Sequence, residues 1–149
     1  MKILRDIIYS VPLKKVVGAT DIEISEVCFD SRKVKANVLF VAIHGTLVDG
    51  HQYIAQAITQ GAKAILCEQL PNVLEKDICY LQVENTAKAL GIIAANYYEN
   101  PSHKLKLVGV TGTNGKTTIA TLLFQLFRGL GYKVGLVSTV QNQINETII

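Results

Sequence analysis

The stretch Val110-Thr111-Gly112-Thr113-Asn114-Gly115-Lys116-Thr117-Thr118 constrains this chain more than any other. Before it, Leu105 to Val110 is almost wholly apolar, the pattern of a strand buried on both faces. After it, Ile119, Leu122, Leu123, Leu126 and Leu130 recur at helical spacing and predict a helix beginning near Lys116. Strand, glycine-rich turn and helix in that order make a P-loop, whose backbone N–H groups and helix N-terminus can surround phosphate oxygens. Gly112 and Gly115 permit backbone conformations and a close approach that a side chain would obstruct. Lys116 would set its ammonium on the outer phosphates as the catalytic cation, and the Thr117 hydroxyl would ligate magnesium. The match to G-x-x-x-x-G-K-[ST] is imperfect: Val110 stands where the first glycine belongs, and Gly109 comes one place too early. A lone Gly-Lys-Thr would be weak, since glycine turns before helices are mostly structural. The agreement of all four parts in order gives the signal its weight.

The 149-residue sequence as a whole reads as α/β. An apolar fraction of 49% with 18% charged residues fits a folded globular chain. A net charge of +3 without a basic run does not imply nucleic acid. Apolar runs fall far short of the roughly 18 residues that span a bilayer, and Arg5, Asp6, Lys14 and Lys15 break any signal-peptide core. Cys28, Cys67 and Cys79 lack C-x-x-C spacing and sit in strand-like contexts, as reduced core thiols of a cytoplasmic protein would.

Ile3, Leu4, Ile7 and Ile8 predict a short opening helix. Strands are expected at Ile24 to Phe29, Val38 to Ile43, Ala64 to Cys67 and Ile78 to Val83, with a helix through Tyr53, Ile54, Ala57 and Ile58 that Gly61 ends. Ala87, Leu90, Ala94, Tyr97 and Tyr98 form one face of a further helix, which Pro101 stops. On pattern alone a domain boundary could fall at either end of that helix. Lys133 to Ser138 is expected as another parallel strand. Two loops carry more polar groups than turns need. Asp30-Ser31-Arg32 follows a buried strand and reads either as a turn held by Asp30 or as a ligand-facing loop. His44 to Gly50 follows the next strand; His44 reads as a packed or surface histidine before it reads as a catalyst, and Asp49 as an N-cap.

The variant Thr-Gly-Thr-Asn-Gly-Lys-Thr-Thr resembles the nucleotide loop of the Mur ligase family, the ATP-dependent amide-bond formers of peptidoglycan precursor synthesis. Phe29-Asp30-Ser31-Arg32, Leu39-Phe40-Val41-Ala42, Gly45, Asp49-Gly50 and Ala57 look like the N-terminal domain of that family's muramoyl-tripeptide synthetases. The resemblance implies a small α/β domain over residues 1–84 that holds the uridine diphosphate end of the substrate. It further implies the start of a P-loop parallel-sheet ATPase domain over residues 85–149. Gly112, Thr113, Asn114, Gly115, Lys116, Thr117 and Thr118 would then bind ATP, and Thr117 its magnesium. Phe29, Ser31, Thr46, Leu47 and Val48 would meet the uridine nucleotide. Ser31 matches the family serine that contacts it, and Phe29 takes a position that is often leucine. Residues 46–48 depart from a common His-Gln-Ala pattern, which leaves backbone bonding to the uracil as their shared role.

The implied reaction joins an amino acid, diaminopimelate or lysine, to UDP-N-acetylmuramoyl-L-alanyl-D-glutamate. The next ligase of the same pathway is the near alternative, although Asn114 favours the tripeptide step. Folylpolyglutamate synthetases share the loop but lack a uridine-diphosphate domain ahead of it. A non-catalytic P-loop module is the alternative from another class. The family's magnesium-binding carboxylate, modified lysine and C-terminal domain find no match here, so the expectation is a fragment that is inactive by itself.

Overall fold

In the computed structural model, residues 1–45 and 48–149 are described. The elements in chain order are β1 (Lys2–Ile3), α1 (Leu4–Ile7), β2 (Leu13–Val17), β3 (Glu23–Ile24), β4 (Glu26–Cys28), β5 (Val38–Val41), α2 (Ile54–Thr59), β6 (Ala64–Cys67), β7 (Cys79–Val83), α3 (Thr86–Tyr97), α4 (Lys116–Gly129), β8 (Gly135–Val137), β9 (Asn142–Ile144) and β10 (Thr147–Ile148). They group into two compact units, Met1–Leu105 and Lys106–Ile149.

The first unit is built on a five-stranded sheet in the order β2-β7-β6-β5-β4. The β4–β5, β5–β6 and β6–β7 pairs are parallel, and β2 joins the far edge antiparallel to β7. Strand pleating sends successive side chains to opposite faces, so a central strand without polar residues must be covered twice. Along β5, Leu39 and Val41 enter one core with Leu4, Ile7, Ala89 and Ile93, while Val38 and Phe40 enter the other with Ile54 and Ala57. Helices α1 and α3 therefore cover one face and α2 the other. Cys28, Cys67 and Cys79 are free thiols buried in these cores.

This packing moves the expected boundary. Helix α3 belongs with residues 1–105, because Ala89 and Ile93 are buried in the α1-side core. The Asn96 side-chain amide donates to the backbone carbonyls of Ile7 (3.0 Å) and Tyr9 (2.7 Å). The inward face of α3 is Thr86, Ala89 and Ile93, with Leu90 and Tyr97 of the expected stripe packed against the same core, while Ala87 and Tyr98 of that stripe are exposed. A helix apolar nearly all round carries two such stripes, and only packing chooses between them.

The second unit departs from expectation in two places. Residues 106–110 form no strand, and Leu107 is 93% exposed. β8 is not parallel to a neighbour; it pairs antiparallel with β9, which pairs antiparallel with β10. A doubly buried strand requires a paired neighbour on its edge and a layer on each face. The unit supplies neither to residues 105–110. Helix α4 starts where expected, but Ile119, Leu122, Leu126 and Leu130 are exposed, and Phe124 is its one fully buried side chain among the described residues. No described helix is long and apolar enough to cross a membrane.

Candidate functional site

Parallel strands deliver their carboxyl ends to one edge of the sheet, the edge where α/β proteins hold ligands. Here that edge gathers the segments after β4, β5, β6 and β7. Adjacent pairing of β4 and β5 brings the 29–33 segment beside residues 42–45 and 48–50, as the order of strands in the sequence implies.

After β4, Phe29 is 63% exposed and Ser31 opens a 3-10 turn over Ser31–Lys33. Asp30 caps that turn: its carboxylate accepts from the Arg32 amide at 3.1 Å and takes the Arg32 guanidinium at 2.9 and 2.8 Å. The turn reading of Asp30 is correct, and the turn it builds presents Phe29 and Ser31 at the edge. These bonds hold the Asp30 carboxyl at about 2, below its ordinary 3.8, with the Arg32 side chain as the largest cause.

After β5, the segment turns back on itself. Gly50 donates to the Ile43 carbonyl at 2.8 Å, and Gly45 donates to the Val48 carbonyl at 3.0 Å. A Cβ at Gly50 would lie 2.8 Å from the Ile43 backbone, so this close approach needs glycine. Asp49 caps the 3-10 turn Gly50–Tyr53 by accepting from the His51 amide at 2.9 Å, as its N-cap reading requires. Its carboxylate also meets His51 Nδ1 at 2.7 Å and His44 Nδ1 at 3.3 Å. The His51 amide is the largest cause of an Asp49 carboxyl held at about 2. Val48 is exposed. The expected nucleotide contacts Thr46 and Leu47 lie outside the described residues.

Sequence reasoning missed the partners of this segment. His51 Nε2 accepts from the Glu68 amide at 2.9 Å, just beyond β6. The Glu68 carboxylate in turn accepts from the amide (2.9 Å) and hydroxyl (3.0 Å) of Thr86, at the start of α3. Glu68 and Thr86 carry no motif. Only the shared edge of β5, β6 and β7 brings them together.

Both aspartates yield a prediction. Carboxyl ¹³C titration should place the midpoints of Asp30 and Asp49 near 2, against an unfolded value near 3.8. A depressed folded pKa stabilises the fold above the unfolded value, and that contribution is lost as pH falls through the folded one. Their contribution to stability is therefore full above about pH 4 and gone below about pH 2. Midpoints near 4 for both would remove the bonding just described.

In the second unit, the loop before α4 takes a backbone path that depends on glycine. Gly112 (φ +149°) and Gly115 (φ +76°) both take conformations that L side chains rarely adopt. Gly115 is the N-cap of α4 and supplies no side chain to cap it, which leaves first-turn N–H groups for a ligand. Thr113, Asn114, Lys116 and Thr118 are exposed, and Thr117 is half-buried. The Lys116 ammonium folds back over the loop and donates to the carbonyls of Gly112 (2.6 Å) and Thr113 (3.3 Å). All seven expected residues thus lie on one continuous loop and first helical turn. No group of three or more His, Cys, Asp or Glu that could hold a metal occurs among the described residues.

The chain is a three-layer α/β unit joined in sequence to a glycine-rich loop that opens a helix. The chain belongs to the Mur ligase family: the pattern described as "Mur ligase family, catalytic domain" matches residues 23–98, half of its length, from β3 to the end of α3. A relative from Cytophaga hutchinsonii, "UDP-N-acetylmuramoyl-L-alanyl-D-glutamate--2,6-diaminopimelate ligase", is 52% identical over 147 residues, 98% of this chain and 30% of that protein. A solved structure titled "Structure of UDP-N-acetylmuramoyl-L-alanyl-D-glutamate--2, 6-diaminopimelate ligase" has the same fold over 99% of this chain and 30% of its own, with a TM-score of 0.73 at 21% identity. The MurF ligase from Thermotoga maritima in complex with ADP is 30% identical, with a TM-score of 0.53 over 70% of this chain and 23% of its own. The chain thus spans about 30% of the length of the curated relatives it matches.

Proposed function

We propose that this chain supplies the uridine-diphosphate site and the ATP loop of a ligase. The ligase joins 2,6-diaminopimelate to UDP-N-acetylmuramoyl-L-alanyl-D-glutamate, forming one amide bond per ATP. The observation that carries this reading is the 52% identity to a relative of that name across both units. The P-loop geometry supports the ATP part, as does a 30% identical neighbour solved with ADP.

In this reading Ser31, Phe29 and residues 46–48 hold the uridine diphosphate, away from the reacting carboxyl. Holding a remote group turns binding energy into orientation. The α4 N-terminus and Lys116 receive the phosphates, Lys116 leaving its loop carbonyls to do so. Magnesium, when bound, would neutralise phosphate charge, and the Thr117 hydroxyl would be the ligand that this loop supplies to it. The product belongs to cytoplasmic peptidoglycan precursor synthesis, a reducing compartment that suits three free buried thiols.

A second reading, the following D-alanyl-D-alanine ligation, draws on the likeness to MurF. ADP formation that depends on the muramoyl dipeptide and diaminopimelate supports the first reading. Dependence on a muramoyl tripeptide and D-alanyl-D-alanine would replace it with the second. For the 149-residue chain the direct test is binding. Calorimetric titration with UDP should saturate, and Ser31→Ala should weaken it by about 0.5–1.5 kcal/mol, the worth of one hydrogen bond. Equal affinity in the variant would take Ser31 out of the site.

A further inference from the structure

His51 joins three ends of the sheet. Its ring side chain is mostly buried, 17% exposed. The Glu68 amide can only donate, so His51 Nε2 must be the lone-pair nitrogen at 2.9 Å. The ring proton is therefore on Nδ1, where it is donated to Asp49 Oδ1 at 2.7 Å. One imidazole thus ties the turn after β5 to the backbone just beyond β6. Asp49 passes the constraint to His44 through its other oxygen at 3.3 Å. Glu68 passes it to the first turn of α3 through Thr86. Gly45, Val48 and Gly50 close the described flanks of the same segment by backbone bonds.

We propose that His51 is a positioning residue for uridine nucleotide binding. As the Nδ1–H tautomer it fixes the flanks Ile43–Gly45 and Val48–Gly50 against the Glu68 backbone, so that Val48 and Ser31 face the ligand in one arrangement. The inference rests on reading this edge as the uridine-diphosphate site. His51 itself need not touch the nucleotide. Its effect runs through Asp49, which gains its partner only if the ring is held at the right angle by Glu68.

The test titrates UDP into the 149-residue chain and its His51→Ala and His51→Gln variants. Removing the ring leaves the Glu68 amide and the Asp49 carboxylate short of a partner, and UDP affinity should fall about tenfold. Glutamine can offer a side-chain oxygen to the Glu68 amide, so His51→Gln should recover affinity to within about threefold of the unsubstituted chain. Long-range ¹H–¹⁵N spectra should show His51 protonated at Nδ1 and not at Nε2, a signature that packing alone does not set. A chain that binds no UDP would overturn the reading of the edge and this role with it. A chain that binds UDP while folded His51→Ala binds it equally would overturn the role of His51 alone. Should His51→Ala fail to fold, a folded His51→Gln that loses tenfold or more would also count against the role.

Discussion

In a full-length ligase that carries this loop, Lys116→Ala is expected to cut turnover by about 10²–10³-fold, the usual cost of removing one preorganised group that meets developing charge. Phosphoryl transfer moves charge onto the outer oxygens, and a cation aimed there stabilises the transition state more than bound ATP. The fold has little stake in this side chain. Lys116 is exposed, and its partners are exposed loop carbonyls of Gly112 and Thr113. Thermal unfolding of the variant should therefore match that of the unsubstituted chain, while ADP formation at saturating ATP collapses. Near-normal turnover would mean that the loop before α4 is a structural turn, and the nucleotide site would have to be sought elsewhere.

What could be read from residues alone follows from where the physics is local. Ala64 to Cys67 is a strand to the residue, since four apolar positions between turn formers leave a buried strand little alternative. Asp49 and Asp30 cap their turns because a short carboxylate two residues before an amide reaches it without tertiary help. The start of α4 after Gly115 was legible for the same reason. β2 was not: Lys14 and Lys15 stand in an edge strand with one wet side, which blurs any period-2 pattern. Leu105 to Val110 misled because an apolar run reports a preference for burial and cannot report whether partners exist. The site divides in the same way. Ser31, Val48 and the P-loop are proposed from motif and resemblance, whereas His51, Glu68 and Thr86 meet only through the order of parallel strands.

The boundary supplies the second large effect. A chain cut after Glu84 should lack a cooperative unfolding transition, whereas one cut after Leu105 should unfold cooperatively and retain UDP binding. The difference is α3, whose Ala89 and Ile93 complete the core formed by Leu4, Ile7, Leu39, Val41, Leu66 and Leu81. Without it one face of the sheet meets water, Asn96 no longer satisfies the carbonyls of Ile7 and Tyr9, and the Tyr97 hydroxyl no longer reaches the Ser25 carbonyl. A single truncation gives the scale. Ile93 is fully buried, and Ile93→Ala should cost about 2–5 kcal/mol. Domains of this size have about 5–15 kcal/mol in total, so losing the whole helix exceeds what the remainder can absorb. Urea titrations followed by near-ultraviolet circular dichroism of the two truncations and of Ile93→Ala make the comparison. If residues 1–84 alone gave a sigmoidal transition at the midpoint of residues 1–105, α3 would be dispensable to the first unit.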